Sequence, residues 1–197
     1  MTRLAQRWWL VVLLGASLHV RAQDGWRLVR HEADGLTLEA RSVTGTDFPE
    51  LRVTGHSAAS PDALANAAWK WNDHGVEAKL VERRMVLLDG ASEKLVWQLL
   101  RPPVVSRRES LVRSVRRGTS ITFSSEPGPP PIKTQDTVRV PLVRGQWQFE
   151  PDGAGGTKVE HRCVSDPGGG VPPWLARGTQ EDIIISLVRE TLERALH

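Results

Sequence analysis

The sequence predicts an α+β domain in which a curved antiparallel β-sheet wraps around one long C-terminal α-helix. Three observations carry that expectation. Apolar residues alternate with period two through most of 26–166. The alternating runs are joined by short turn-forming stretches, as antiparallel neighbours require. The last pattern is helical, with Ile184, Leu187, Val188, Thr191, Leu192 and Ala195 recurring on one face.

Taken in order, residues 1–22 have the make-up of a secretory signal. Arg3 and Arg7 precede an apolar run over 8–18, and Val20, Arg21 and Ala22 offer a cleavage site before Gln23. The run is short for a bilayer span. The expected organisation is therefore a signal peptide at 1–22, cleaved after Ala22, and one domain at 23–197, exported to the periplasm or beyond the cell. Within 26–41, Trp26 and Leu28, then Leu36, Leu38 and Ala40, alternate onto one face around a hairpin turn at Ala33, Asp34 and Gly35. Leu51 and Val53 alternate in the next strand, over 50–58.

The period then changes. Ser60 reads as an N-cap, Pro61 as the first helical residue and Asp62 as a first-turn acid. Leu64, Ala67, Ala68 and Trp71 follow at helical spacing, and Gly75 reads as a stop. Strands resume over 79–100 around the turn DGAS and over 107–126 around RRGTS. The stretch EPGPPPIK, 126–133, is a stiff connector. Two or three strands follow over 136–166, with a glycine-rich turn at 153–156, completing a meander sheet. Thr179 reads as the N-cap of the last helix, with Asp182 three residues on and Glu190 and Arg194 as an i,i+4 pair.

Composition narrows the function. The whole chain carries 26 Lys+Arg and 23 Asp+Glu. Loss of Arg3, Arg7 and Arg21 with the signal leaves 23 of each, so net charge gives no case for a nucleic-acid partner. A lone cysteine, Cys163, cannot form an internal disulfide and reads as a small core residue. No tyrosine is present, and six tryptophans remain in the domain, at 26, 69, 71, 97, 147 and 174.

The stretch SDPGGGVPPWL, 165–175, sets permissive glycines beside rigid prolines. It turns the chain from the last strand into the last helix at a fixed angle, aiming that helix across the concave face of the sheet. One helix cannot fill so wide a concavity, so an apolar space for a hydrophobic molecule is expected. The alternative is a filled core.

This stretch resembles the START (StAR-related lipid-transfer) domain family. That family ends its sheet with an Asp-Pro-Gly-Gly turn, an apolar-Pro pair and a Trp before its C-terminal helix. Here these are Asp166, Pro167, Gly168, Gly169, Val171, Pro172 and Trp174. PPVVSRRESLV, 102–112, is similar to the family's proline lead, Arg-Asp pair and apolar strand, with Arg108 in the Arg place and Glu109 where Asp is usual. RRGTS at 116–120, the stretch 143–161 and the opening 24–43 resemble the family's hairpins, so the likeness spans nearly the whole domain.

The resemblance implies a helix-grip fold and a bacterial, exported, non-catalytic protein. It would bind a lipid or similar hydrophobic small molecule between sheet and helix, as carrier or sensor, with transient membrane contact and no cofactor. Arg108 is the residue the resemblance places in the cavity, facing a carboxylate or headgroup. The other candidate ligand contacts are Trp97, Trp147, Trp174, His161 on the strand face of Val159 and Cys163, and Ile184, Leu187 and Val188 on the last helix. Arg139, between Val138 and Val140, is expected to face solvent. Residues 168–170 are the expected hinge for ligand access.

Other chemistries find little support. There is no G-x-S-x-G motif, and His161 with Cys163 gives only two ligands where zinc takes three or four. DGAGGT joins two strands rather than a strand to a helix, so it is no phosphate loop. Two alternatives stay open: an enzyme like the polyketide cyclases and aromatases, using Arg108 and His161 in the same pocket, or an interaction module with a filled core.

Overall fold

The computed structural model describes residues 25–70, 75–103, 105–132 and 134–197. The expected signal at 1–22 and the expected helical Trp71 lie outside the described residues. The elements run β1 (Arg27–His31), β2 (Thr37–Arg41), β3 (Glu50–Ser57), α1 (Pro61–Trp69), α2 (Val76–Leu80), β4 (Val81–Asp89), β5 (Glu93–Leu100), β6 (Arg107–Arg117), β7 (Ser120–Ser125), β8 (Thr137–Arg139), β9 (Leu142–Pro151), β10 (Thr157–Asp166) and α3 (Pro173–Arg194).

All the described strands join one sheet in the order β1-β2-β3-β10-β9-β7-β6-β5-β4. Neighbours on this path are antiparallel, and the short β8 lies parallel to the start of β6. The expected simple meander is corrected at one point. The segment holding α1 and α2 carries the chain from β3 to the far edge at β4, and β10 then returns to pair with β3.

The helix starts differ unequally from expectation. At α1 the Ser60 hydroxyl accepts from the Ala63 N–H at 3.2 Å, with Pro61 in the first turn, and Leu64, Ala65 and Ala67 are buried. The helix ends at Trp69 because Lys70 turns to an extended backbone. The last helix begins at Pro173, earlier than the expected Thr179, since Pro172 is its cap and prolines suit a first turn. Asp182 is therefore mid-helix and pairs with Arg30 at 2.7 Å.

Both sheet faces bury residues. The concave face packs Leu38, Val53, Phe149 and Val159 against Leu64 of α1 and Ile184, Ile185 and Val188 of α3. On the outer face the connector folds back over β6. There Arg113 bridges Glu93 and Glu126, Thr134 donates to Glu109 at 3.3 Å, and Gly128 passes beside Leu111. A second cluster of Trp97, Leu99 and Leu111 is buried on that face. Arg139, also outward, lies 3.8 Å from Glu109 and donates to the Glu126 carbonyl. Trp26 departs from the face expected for it: it packs between the guanidinium groups of Arg41 and Arg52, at 4.5 and 4.3 Å. Leu28 is exposed, where the β1–β2 register shifts between Leu28 and Arg30.

The turn between β10 and α3 is held from β6. Gly168, Gly169 and Gly170 all have φ near +69°, a backbone region costly for other residues. A Cβ at Gly168 would meet the Arg139 carbonyl oxygen at 2.8 Å. Asp166 accepts from the Gly168 N–H at 2.8 Å. Buried Arg108 donates through Nε to the Pro167 carbonyl at 2.8 Å and through Nη2 to that of Gly168 at 3.4 Å. Its Nη1 donates to the carbonyl and hydroxyl of Ser106 at 2.6 and 2.7 Å. Its protein partners are thus backbone carbonyl oxygens and the Ser106 hydroxyl rather than a carboxylate.

Further contacts fix α3 along its length. Gln180 donates to the Ser165 carbonyl, Arg189 pairs with Asp34 and Glu32, and Glu190 accepts from the Val76 N–H. Replacing Arg108 by Met should cost about 3 kcal/mol, because buried carbonyl groups lose charged donors. Urea denaturation checks this. A midpoint shift with an unchanged slope is the expected result, and an unmoved midpoint would mean that the turn holds itself.

Candidate functional site

A cavity of about 370 Å³ lies between α3 and the concave face. Strand alternation supplies its floor. Val96 and Leu100 come from β5, Val112 from β6, Ile121 and Phe123 from β7, Val143 and Trp147 from β9, and His161 and Cys163 from β10. Ile183, Ile184 and Leu187 of α3 roof it, and Ala68 and Trp69 of α1 close one end.

Of the residues expected to contact a ligand, Trp147, His161, Ile184 and Leu187 line this space. Val188 does not line it, being fully buried in the core beside them. Three further expectations are corrected. Trp97 faces the outer side of the sheet, since its neighbours Val96 and Gln98 line the cavity and alternation turns it away. Trp174 is 74% exposed, in a first stretch of α3 that has no buried residue. Arg108 is buried but engaged by turn carbonyls rather than lining the cavity. The same bonds hold Pro167 and Gly168, at the start of the stretch 168–170 that is the expected hinge.

Sequence reasoning missed Gln98, Ser110, Ser114 and Phe123 as lining residues. Alternation links the first three to apolar lining residues, since Gln98 follows Val96 by two on β5, and Ser110 and Ser114 flank Val112 by two on β6. Polar side chains looked like solvent residues because neither sheet face could be assigned.

The His161 ring is tightly placed. It stacks on Trp147, directly across the strand pair, with ring centres 3.9 Å apart, and on Phe123 at 5.8 Å. Phe123 comes this close because Gly145 stands between: a Cβ there would lie 2.5 Å from the Phe123 ring. His161 Nδ1 is 3.1 Å from the Gln146 carbonyl oxygen. Burial pushes the imidazole from an ordinary 6.5 to about 3, against the opposing pull of that carbonyl bond, so the ring is neutral. Burial, with the nearby Glu50 carboxylate, pushes the Cys163 thiol up to about 12. His161 and Cys163 therefore do not form a thiolate–imidazolium pair near neutral pH.

Three cations line the cavity near its α1 end, Lys70, Lys94 and Arg194. Lys94 donates to the Trp69 carbonyl at 2.9 Å and pairs with Asp89 at 3.2 Å, and Arg194 donates to the Lys70 carbonyl at 3.3 Å. Among the described residues no group of three or more His, Cys, Asp or Glu side chains is placed to hold a metal ion. Likewise, no described helix is long and apolar enough to cross a membrane. The arrangement can desolvate an apolar body and offer it a few neutral polar contacts.

No family model matches the chain. An uncharacterized protein of Pseudomonas aeruginosa is 27% identical over 188 residues, covering 90% of this chain and 89% of its own length. Among solved structures, a STAR-related lipid transfer protein from Xanthomonas axonopodis matches with a TM-score of 0.71 at 23% identity, over 88% of this chain and 100% of the other. Human STARD10 matches at 0.68 and 14% identity, over 89% and 75%. The Zhui aromatase/cyclase from Streptomyces matches less well, at 0.50 and 16% identity, over 74% and 92%. The chain thus has the START helix-grip fold, shared with lipid transfer domains that include a bacterial one.

The neutral state of His161 has a consequence for stability. Its pKa is lower folded than unfolded, so the unfolded chain takes up the proton first. The stabilisation is complete above 6.5 and is lost as pH falls towards about 3. The slope from this group approaches about 1.4 kcal/mol per pH unit. Urea midpoints measured over pH 7 to 4 should fall more steeply for the native chain than for His161→Phe, and parallel curves would contradict the assignment.

Proposed function

We propose that this protein binds a lipid or similar hydrophobic small molecule between α3 and the concave sheet face, as a carrier or sensor that leaves the ligand chemically unchanged. The cavity carries the reading: its size lies within the range of about 300–1,000 Å³ usual for small-molecule sites. The shared fold with lipid transfer proteins supports it. Burying about 300 Å² of apolar ligand surface would supply about 7 kcal/mol before ordering costs.

Ligand access then needs a moving part. It is placed at α3 or a nearby loop, with 168–170 as the hinge beyond the bonds that hold Pro167 and Gly168. Export to the periplasm or beyond belongs to the same proposal. It rests on the make-up of 1–22, and N-terminal sequencing of the exported protein should begin at Gln23.

A second reading, cyclase-like chemistry, is favoured by the His161 ring at the cavity and by the fold shared with an aromatase/cyclase. A ring with a pKa near 3 is a weak base for proton abstraction, which favours binding over chemistry. Titration of a fluorescent fatty-acyl lipid tests the binding reading. Leu187→Trp, which fills the cavity, should weaken binding at least tenfold at unchanged circular dichroism, while exposed Arg177→Ala leaves it intact. Equal affinity in Leu187→Trp would place the ligand elsewhere.

A further inference from the structure

We infer that His161 selects the ligand's polar group, and that the preferred ligand is an uncharged alcohol whose hydroxyl donates a hydrogen bond to His161 Nε2. This rests on the lipid-binding reading and assigns a polar contact within it. The geometry fixes the direction of the bond. A backbone carbonyl can only accept, so the 3.1 Å contact between Nδ1 and the Gln146 oxygen places the ring proton on Nδ1. Nε2 therefore carries a lone pair. Among the described residues nothing hydrogen-bonds to it, and His161, though almost wholly buried, lines the cavity. Stacking on Trp147 and Phe123 holds the ring plane, and turning the ring over would break the carbonyl bond.

A fixed acceptor in an apolar cavity discriminates by what the ligand offers. A hydroxyl satisfies it. A methyl ether leaves it unmet, and a carboxylate or phosphate ester brings another lone pair against it at the cost of desolvating a charge. Several of the remaining polar groups at the cavity suit a neutral ligand. Gln98 and Ser110 face each other across β5 and β6, and Gln180 lies at the α3 side, all uncharged. Arg108, the buried cation nearest to the family-like site, is bound to the turn and does not line the cavity. The three cations that line the cavity lie at its α1 end, where Lys94 and Arg194 donate to backbone carbonyls and Lys70 caps α1.

The test uses the purified chain and displacement of bound N-phenyl-1-naphthylamine, a neutral fluorophore, at pH 8. The competitors are 1-tetradecanol, its methyl ether and tetradecanoate. The alcohol should displace the probe at a concentration at least tenfold below the ether and the carboxylate. In His161→Phe, which keeps the stacked ring and removes the acceptor, alcohol and ether should become equal. His161→Gln, which restores an acceptor, should recover part of the preference and stands in if the Phe variant fails to fold. Equal displacement by alcohol and ether in the native chain, or a preference that persists in His161→Phe, would overturn the inference while leaving lipid binding in place. Failure of the probe and all three competitors to bind would overturn both.

Discussion

The bonds from the Arg108 guanidinium to the carbonyl oxygens of Pro167 and Gly168 are the constraint on which the rest of the molecule depends. A run of three glycines has no preferred path of its own, and its left-handed backbone angles cost conformational entropy to fix. A buried cation in β6 reaches across to this turn and gives it one path. Pro172 and Pro173 then commit the chain to a helix at once. The exit angle of α3 follows, and with it the position of Ile184 and Leu187 over the sheet. An arginine that looked from the sequence like a headgroup contact acts instead as the fixing point of the roof.

The cavity exists because the two ends of the sheet are treated differently. Near β3 and β10, Leu64, Phe149, Val159 and Val188 meet in a close-packed core. Towards β5 and β6 the same helix runs over small or polar positions, Ser110, Ser114 and Gln98, and the space is left open. On the other side of those strands, Trp97, Leu99 and Leu111 are buried on the outer face. Large side chains that might have filled the concavity point outward, where the connector crosses the sheet. An outward tryptophan and an inward serine thus have one cause, the alternation of the strands.

Much of this was legible in the sequence. Period-two runs, the Ser60-Pro61 helix start and the apolar face of the last helix located nearly every element, because each is written in local residue chemistry. The turn at 165–175 announced its own rigidity. What the sequence could not carry was the choice of sheet face. Trp97 and Trp147 have equal claims on a cavity until the neighbours on both sides are known, and the covering of the outer face arises from a proline-rich connector that follows β7. Nor could local patterning show that α1 and α2 transfer the chain to the far edge, since pairing of β10 with β3 joins segments about a hundred residues apart. His161 was visible as an inward histidine by its spacing from Val159. Its proton position was not, because that depends on the Gln146 carbonyl of a neighbouring strand.

The central claim is that the space between α3 and the sheet holds a hydrophobic molecule. Native mass spectrometry of the protein taken from its own host, followed by organic extraction and lipid analysis, addresses it most directly. The account predicts one defined lipid at near-stoichiometric occupancy, released when the protein unfolds. A clean apo mass, with no uptake from a panel of fatty alcohols, fatty acids, sterols and phospholipids, would contradict it.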